Sequence, residues 1–212
     1  MIKAILFDFD GTLINTNNLI FMSHNYAFQK LYGRDITKNE FLKLYGRPLI
    51  ESLNEGYGED DGAKLLKLYR EFNETNHDKY VESFEGVEEG IKKLYKSGIS
   101  LGIVTSKRKS TLMKGINFLK LEKYFNCLVT PADSTKYKPD PEPVLIGCEK
   151  LCAKPFESVY VGDSVFDLAA GKGAGTKTCA VGYSLTPLEE LKALKPDFVV
   201  NSIEEFADMV LK

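Results

Sequence analysis

Short runs of consecutive apolar residues recur along the chain, separated by stretches whose apolar positions fall at helical spacing. Ile2 to Phe7 is the first run. Ser100 to Thr105, Asn126 to Thr130, Ser158 to Gly162, Thr178 to Val181 and a brief Phe198 to Val200 have the same shape. Runs this short, without polar alternation, predict strands buried on both faces. Between them, Val87, Ile91, Leu94 and Tyr95 repeat at i, i+4, i+7, i+8, and Gly98 follows as a stop signal. Pro143 to Leu151 and Pro187 to Leu194 carry prolines near their starts, where a helix tolerates them. Strand and helix in alternation predict an α/β fold, a mainly parallel Rossmann-like sheet covered on both faces.

One region breaks the alternation. From about Asn17 to Tyr80 there is only helical periodicity, with Ile20, Ala27 and Leu31 beside Phe21, Phe28 and Tyr32. A second stripe runs through Leu65, Leu68, Tyr69 and Phe72. This predicts an inserted helical domain at residues 16–81, with residues 1–15 and 82–212 forming the α/β core. The two connections, near Ile14 to Thr16 and Val81 to Gly86, are placed to act as one hinge.

Composition narrows the possible partners. The 212 residues include 28 Lys plus Arg against 30 Asp plus Glu, for a net charge of −2. No basic excess is available for a nucleic-acid backbone or an anionic membrane. No apolar run reaches the length of a membrane span, and Asp8 and Asp10 interrupt the first one. Of four cysteines, only Cys148 and Cys152 are close in sequence, on one side of the predicted helix, and neither His24 nor His77 is near them. They read as buried reduced thiols of a cytoplasmic protein rather than a zinc site.

Polar groups collect where predicted strands end. Asp8 and Asp10 follow the first, Thr105 and Ser106 the second, and Asp163 and Asp167 the one closing at Gly162. Lys138 stands in a Pro-rich loop. Ligands of an open parallel sheet bind outside the carboxyl ends of its strands, so these residues converge on one crevice. Two unit charges 4 Å apart repel by about 4 kcal/mol at an effective dielectric of 20, so four carboxylates there call for a cation. Oxygen donors without His or Cys favour Mg²⁺. Lys138 and the Thr105 hydroxyl then complete a pocket for a phosphoryl group, with one Asp of Asp-x-Asp as nucleophile and the other as proton donor and acceptor. Asp163 also reads as a helix N-cap, because Gly162-Asp163-Ser164 precedes a helix.

Asp8-Phe9-Asp10-Gly11-Thr12-Leu13, Thr105 after its strand, Lys138 before Pro139, and Gly162-Asp163-x-x-x-Asp167 resemble the four motifs of the haloacid dehalogenase superfamily. They run in the family's order, and the helical insert is similar to its C1-type cap. The resemblance implies Asp8 as the residue that becomes aspartyl phosphate and Asp10 as general acid/base. It implies Mg²⁺ held by the Asp8 carboxylate, the Asp10 backbone carbonyl and Asp163, with Asp167 a direct or water-mediated partner. Thr105 would then hold phosphoryl oxygens and Lys138 offset charge. Ser106, Lys107 and, from the cap, Arg47 are candidate substrate contacts.

Within the superfamily, Asp10 and Asp163 argue against a dehalogenase. β-Phosphoglucomutases remain an alternative, although Ile20 and Leu49 fall where that family carries a His and an Arg. Gly46-x-Pro48-Leu49-x-x-x-Leu53 resembles the cap loop of phosphoglycolate phosphatases. Leu13-Ile14-Asn15-Thr16-Asn17, Tyr69-Arg70-x-Phe72-Asn73, His77-Asp78, Lys138-Pro139-Asp140-Pro141-Glu142-Pro143, Ala174-Gly175-Thr176-Lys177-Thr178 and Lys195-Pro196-Asp197-Phe198 resemble inorganic pyrophosphatases of the same superfamily. The implied substrate is a small phosphate, pyrophosphate first and phosphoglycolate second. A non-catalytic phosphate-binding regulatory protein is the alternative from another class. The sequence leaves any protein partner open.

Overall fold

The computed structural model describes residues 1–183 and 185–212. The chain runs β1 (Ala4–Phe7), β2 (Ile14–Asn15), α1 (Asn17–Tyr32), α2 (Lys38–Leu44), α3 (Leu49–Tyr57), α4 (Glu59–Tyr80), β3 (Glu82–Ser83) and α5 (Val87–Lys96). It continues β4 (Ser100–Val104), α6 (Lys109–Leu119), β5 (Cys127–Val129), α7 (Glu142–Lys150), β6 (Ser158–Gly162), α8 (Val165–Ala174), β7 (Lys177–Val181), α9 (Leu188–Ala193), β8 (Phe198–Val200) and α10 (Ile203–Val210). Six strands form a sheet in the order β5-β4-β1-β6-β7-β8, every pairing parallel. The α/β class with a parallel sheet is therefore as the apolar runs predict.

Successive side chains of β1 serve opposite faces. Leu6 packs in one core cluster with Val144 and Cys148 of α7 and Ala170 and Ala174 of α8. Phe7 meets Phe206 of α10 edge to face, with ring centroids 6.5 Å apart. Both faces are covered, so β1 is apolar throughout rather than alternating. Its neighbours are β4 on one side and β6 on the other, with Phe7 level with Ile103 and Val161. The chain thus leaves the sheet in opposite directions from its central strand, and the carboxyl ends of β1, β4 and β6 flank the switch point where ligands bind in such sheets.

The chain divides into two compact units, Met1–Asn15 with Glu82–Lys212, and Thr16–Val81. The first also contains a two-stranded antiparallel ribbon, β2 with β3, pairing Ile14 with Ser83 and Asn15 with Glu82. Sequence pattern does not foresee this ribbon, because two residues per strand carry no period. The second unit consists of α1 to α4 around Ala27, Phe28, Ile36, Phe41, Leu44, Leu53 and Leu65. Thr37 and Glu40 form a reciprocal capping box at the start of α2. His24 and His77 are both buried in this unit, and burial lowers the His24 imidazole to about 3, making it a neutral packing group.

Two sequence expectations are corrected. α7 stops at Lys150, and Cys152 lies beyond it with φ 52°, so Cys148 and Cys152 do not share a helix face. Cys127, Cys148 and Cys179 are buried thiols, but Cys152 is exposed. Among the described residues, no helix is long and apolar enough to cross a membrane.

Candidate active site

The turn after β1 places Asp8 and Asp10. The Asp8 amide donates to Val161 O of β6 (2.8 Å), and the Leu13 amide donates back to Phe9 O (2.9 Å). Gly11 sits at φ 81°, the left-handed region that favours glycine. A Cβ on Gly11 would lie 2.3 Å from Asp163 Oδ2, so the bare backbone here is what admits the Asp163 carboxylate. Asp163 itself follows β6, and Thr105 follows β4, where its amide donates to Val129 O (3.0 Å).

Lys138 enters from the loop between β5 and α7. Its ammonium donates to Asp8 Oδ1 (2.8 Å), Asp167 Oδ1 (2.6 Å) and the Tyr160 hydroxyl (3.2 Å), and all four side chains are buried. The Tyr160 hydroxyl lies 2.9 Å from Val104 O and 3.2 Å from Asp167 Oδ1. On α8, Asp167 Oδ2 accepts from the Ser164 amide (3.0 Å) and hydroxyl (2.5 Å), and the Ser164 hydroxyl accepts from the Asp167 amide (3.2 Å). The helix cap is therefore Ser164, not Asp163. Asp163 is released from that duty and turned toward Asp8.

Asp8, Asp163 and Asp167 present carboxylate oxygens that all lie within 4.8 Å of one another. With all three ionised and Lys138 as their ammonium partner, these four groups would carry two negative charges in excess. Burial is the largest influence on Asp8 and raises its carboxyl from 3.8 to about 7, against the opposing pull of Lys138. Burial alone would lower Lys138, yet Asp167 and Asp8 outweigh it and hold the ammonium well above its usual value. Asp167 accepts from Ser164 as well as Lys138, whereas Asp8 shares Lys138 with it. Three buried carboxylates with surplus negative charge and no nitrogen or sulfur donor fit a hard divalent cation such as Mg²⁺.

The remaining candidates are placed differently. Ser106 is exposed beside Thr105. Lys107 points its ammonium at Asp10, 2.8 Å from Oδ1 and 3.1 Å from Oδ2. Arg47 belongs to the helical unit, between α2 and α3, with its guanidinium on Glu55. Sequence reasoning overlooks Tyr160, the Ser164 cap and the Lys107–Asp10 pair. A tyrosine inside an otherwise apolar buried strand, two residues before Gly162, is the one signal that points to Tyr160.

This fold is that of the haloacid dehalogenase-like hydrolases. That family's profile matches residues 5–181, and the chain belongs to it. It is thus a hydrolase. It is 43% identical over 212 residues to a PpaX protein of Clostridium perfringens, covering 100% of this chain and 99% of that one. Identity to the pyrophosphatase PpaX of Halalkalibacterium halodurans is 37% over 209 residues, covering 99% and 97%. A haloacid dehalogenase-like hydrolase structure from Streptococcus pneumoniae superposes with TM-score 0.87 at 21% identity, covering 99% and 98%, a likeness of fold.

Proposed function

We propose that the chain is a Mg²⁺-dependent phosphohydrolase that works through an aspartyl phosphate on Asp8, with inorganic pyrophosphate as first substrate and phosphoglycolate as second. One observation carries the reading: a buried Asp8 braced by Lys138, with a second Asp two residues on and Asp163 facing it. The choice of pyrophosphate is supported by near full-length relatives that bear that activity in their names.

The Asp8 carboxylate is the nucleophile. Its oxygen bonds to phosphorus while the bond to the leaving oxygen breaks and the electron pair departs with that oxygen. Lys138 neutralises charge on Asp8 and on the incoming phosphoryl oxygens, and the Thr105 hydroxyl binds one of those oxygens. Asp10 protonates a leaving oxygen that needs it. It then accepts a proton from the water that attacks the phosphoenzyme, which returns the Asp8 carboxylate and free phosphate. The Asp8 carboxylate, the Asp10 backbone carbonyl and Asp163 would hold Mg²⁺, with Asp167 a direct or water-mediated partner. The ion would supply electrostatic stabilisation of the phosphoryl charge. Residues 16–81 take the part of a cap and residues 1–15 with 82–212 that of the catalytic core. Free thiols suit a reducing compartment, in keeping with a cytoplasmic enzyme.

Steady-state phosphate release with Mg²⁺ tests the assignment on pyrophosphate, phosphoglycolate and β-glucose 1-phosphate. The expected order is pyrophosphate above phosphoglycolate, with neither turned over by Asp8→Asn. Conversion of β-glucose 1-phosphate to its isomer without phosphate release would favour the mutase. Binding of phosphate without turnover of any substrate would favour a regulatory protein.

A further inference from the structure

Lys107 is the second residue after Thr105, and its backbone N–H donates to the Thr105 hydroxyl oxygen (3.1 Å). That turn brings its side chain back to Asp10, where the ammonium reaches both carboxylate oxygens. Only 8% of the Lys107 side chain is exposed, against 23% for Asp10. A loop lysine normally keeps its ammonium in water and loses considerable rotamer freedom when it does not. A buried stem ending on one carboxylate is a placed group. We propose that Lys107 is a positioning residue for Asp10, gripping both oxygens so that one stays aimed at the oxygen whose proton it exchanges. This rests on the reading of Asp10 as the proton-transfer group.

The two chemical steps use Asp10 unequally, and that separates a positioning role from a substrate contact. In the first, the Asp8 oxygen–phosphorus bond forms as the bond to the leaving oxygen breaks. A leaving group such as p-nitrophenolate departs with its electron pair and needs no proton. In the second, a water oxygen bonds to phosphorus, Asp10 takes one of its protons, and the phosphorus–Asp8 bond returns its pair to the carboxylate. With p-nitrophenyl phosphate, a misplaced Asp10 therefore slows the second step and spares the first.

The test is rapid-mixing kinetics of p-nitrophenol release with Mg²⁺ for wild type, Lys107→Met, Lys107→Arg, Asp10→Asn and the double variant Lys107→Met with Asp10→Asn. Asp10→Asn is expected to show a burst at near wild-type rate and a steady state lowered by about 100-fold or more. Lys107→Met should give the same pattern with a fall of about 10- to 100-fold. Lys107→Arg, which can still reach both oxygens, should recover most of it. The double variant should match Asp10→Asn within about twofold, because a residue that acts through Asp10 has nothing to lose once Asp10 is gone. An additive loss in the double variant, or a raised KM with unchanged kcat in Lys107→Met, would overturn the proposal. Full activity in Asp10→Asn would instead overturn the reading on which it rests.

Discussion

Replacing Asp8 by Asn removes the buried carboxylate whose ionisation the fold opposes. In the folded protein burial raises that carboxyl from 3.8 to about 7. Between about pH 4 and pH 7 the folded chain therefore keeps a proton that the unfolded chain has released, and stability falls as pH rises through this window. About three units at 1.36 kcal/mol each set an upper limit of about 4 kcal/mol on the destabilisation above pH 7. The raised value of about 7 already contains the pull of Lys138 on Asp8, and in the variant Lys138 retains Asp167 at 2.6 Å and Tyr160 at 3.2 Å. The net expectation is a gain of about 1–3 kcal/mol at pH 8 without metal, or about 2–12 °C in Tm for a chain of this size. Thermal unfolding in EDTA across pH 4 to 8 is the assay. The two proteins should unfold together near pH 4 and separate as pH rises, with the inactive variant the more stable. Mg²⁺ should then raise the wild-type Tm and narrow the gap, since it binds only the folded site. A variant less stable than wild type at pH 8, by a margin independent of pH, would refute this electrostatic reasoning.

Other substitutions bear on the same cluster. Lys138→Met leaves Asp8 and Asp167 buried without their ammonium, and should destabilise by about 3–5 kcal/mol at pH 8 in urea unfolding, less at pH 5 where Asp8 is protonated. Gly11→Ala places a methyl 2.3 Å from Asp163 Oδ2 at φ 81°; at least about 1 kcal/mol of stability should go, and calorimetry should show weakened Mg²⁺ binding. Tyr160→Phe removes the hydroxyl beside Lys138 and Val104 O. It should lose about 1–3 kcal/mol in denaturant unfolding and lower kcat more than it raises KM in steady-state assays.

What the sequence reveals and what it hides follow from the range of each interaction. β1 and β6 announce themselves because burial on both faces makes them continuously apolar, and α5 because one face packs on the sheet. Chemistry stationed at strand ends is equally visible: Asp8, Thr105 and Asp163 each close an apolar run. The β2–β3 ribbon is hidden because its two-residue strands depend on a partner 67 positions or more away in sequence. The choice between Asp163 and Ser164 as helix cap turns on one residue of register, which local preference for Ser and Asp alike does not settle. Lys107 reads as a candidate substrate contact rather than a partner of Asp10, because Asp10 is 97 residues distant. Cys152 misleads for the opposite reason: the i, i+4 spacing from Cys148 is helical, but the helix ends two residues before it.

The nucleophile is tested most directly by trapping its product. Asp10→Asn is mixed with pyrophosphate and Mg²⁺, quenched in acid, digested and mapped by mass spectrometry. One phosphoryl group on Asp8, absent when Asp8 is also replaced by Asn, is the predicted result. A phosphoryl group on any other residue, or its persistence after loss of Asp8, would contradict it.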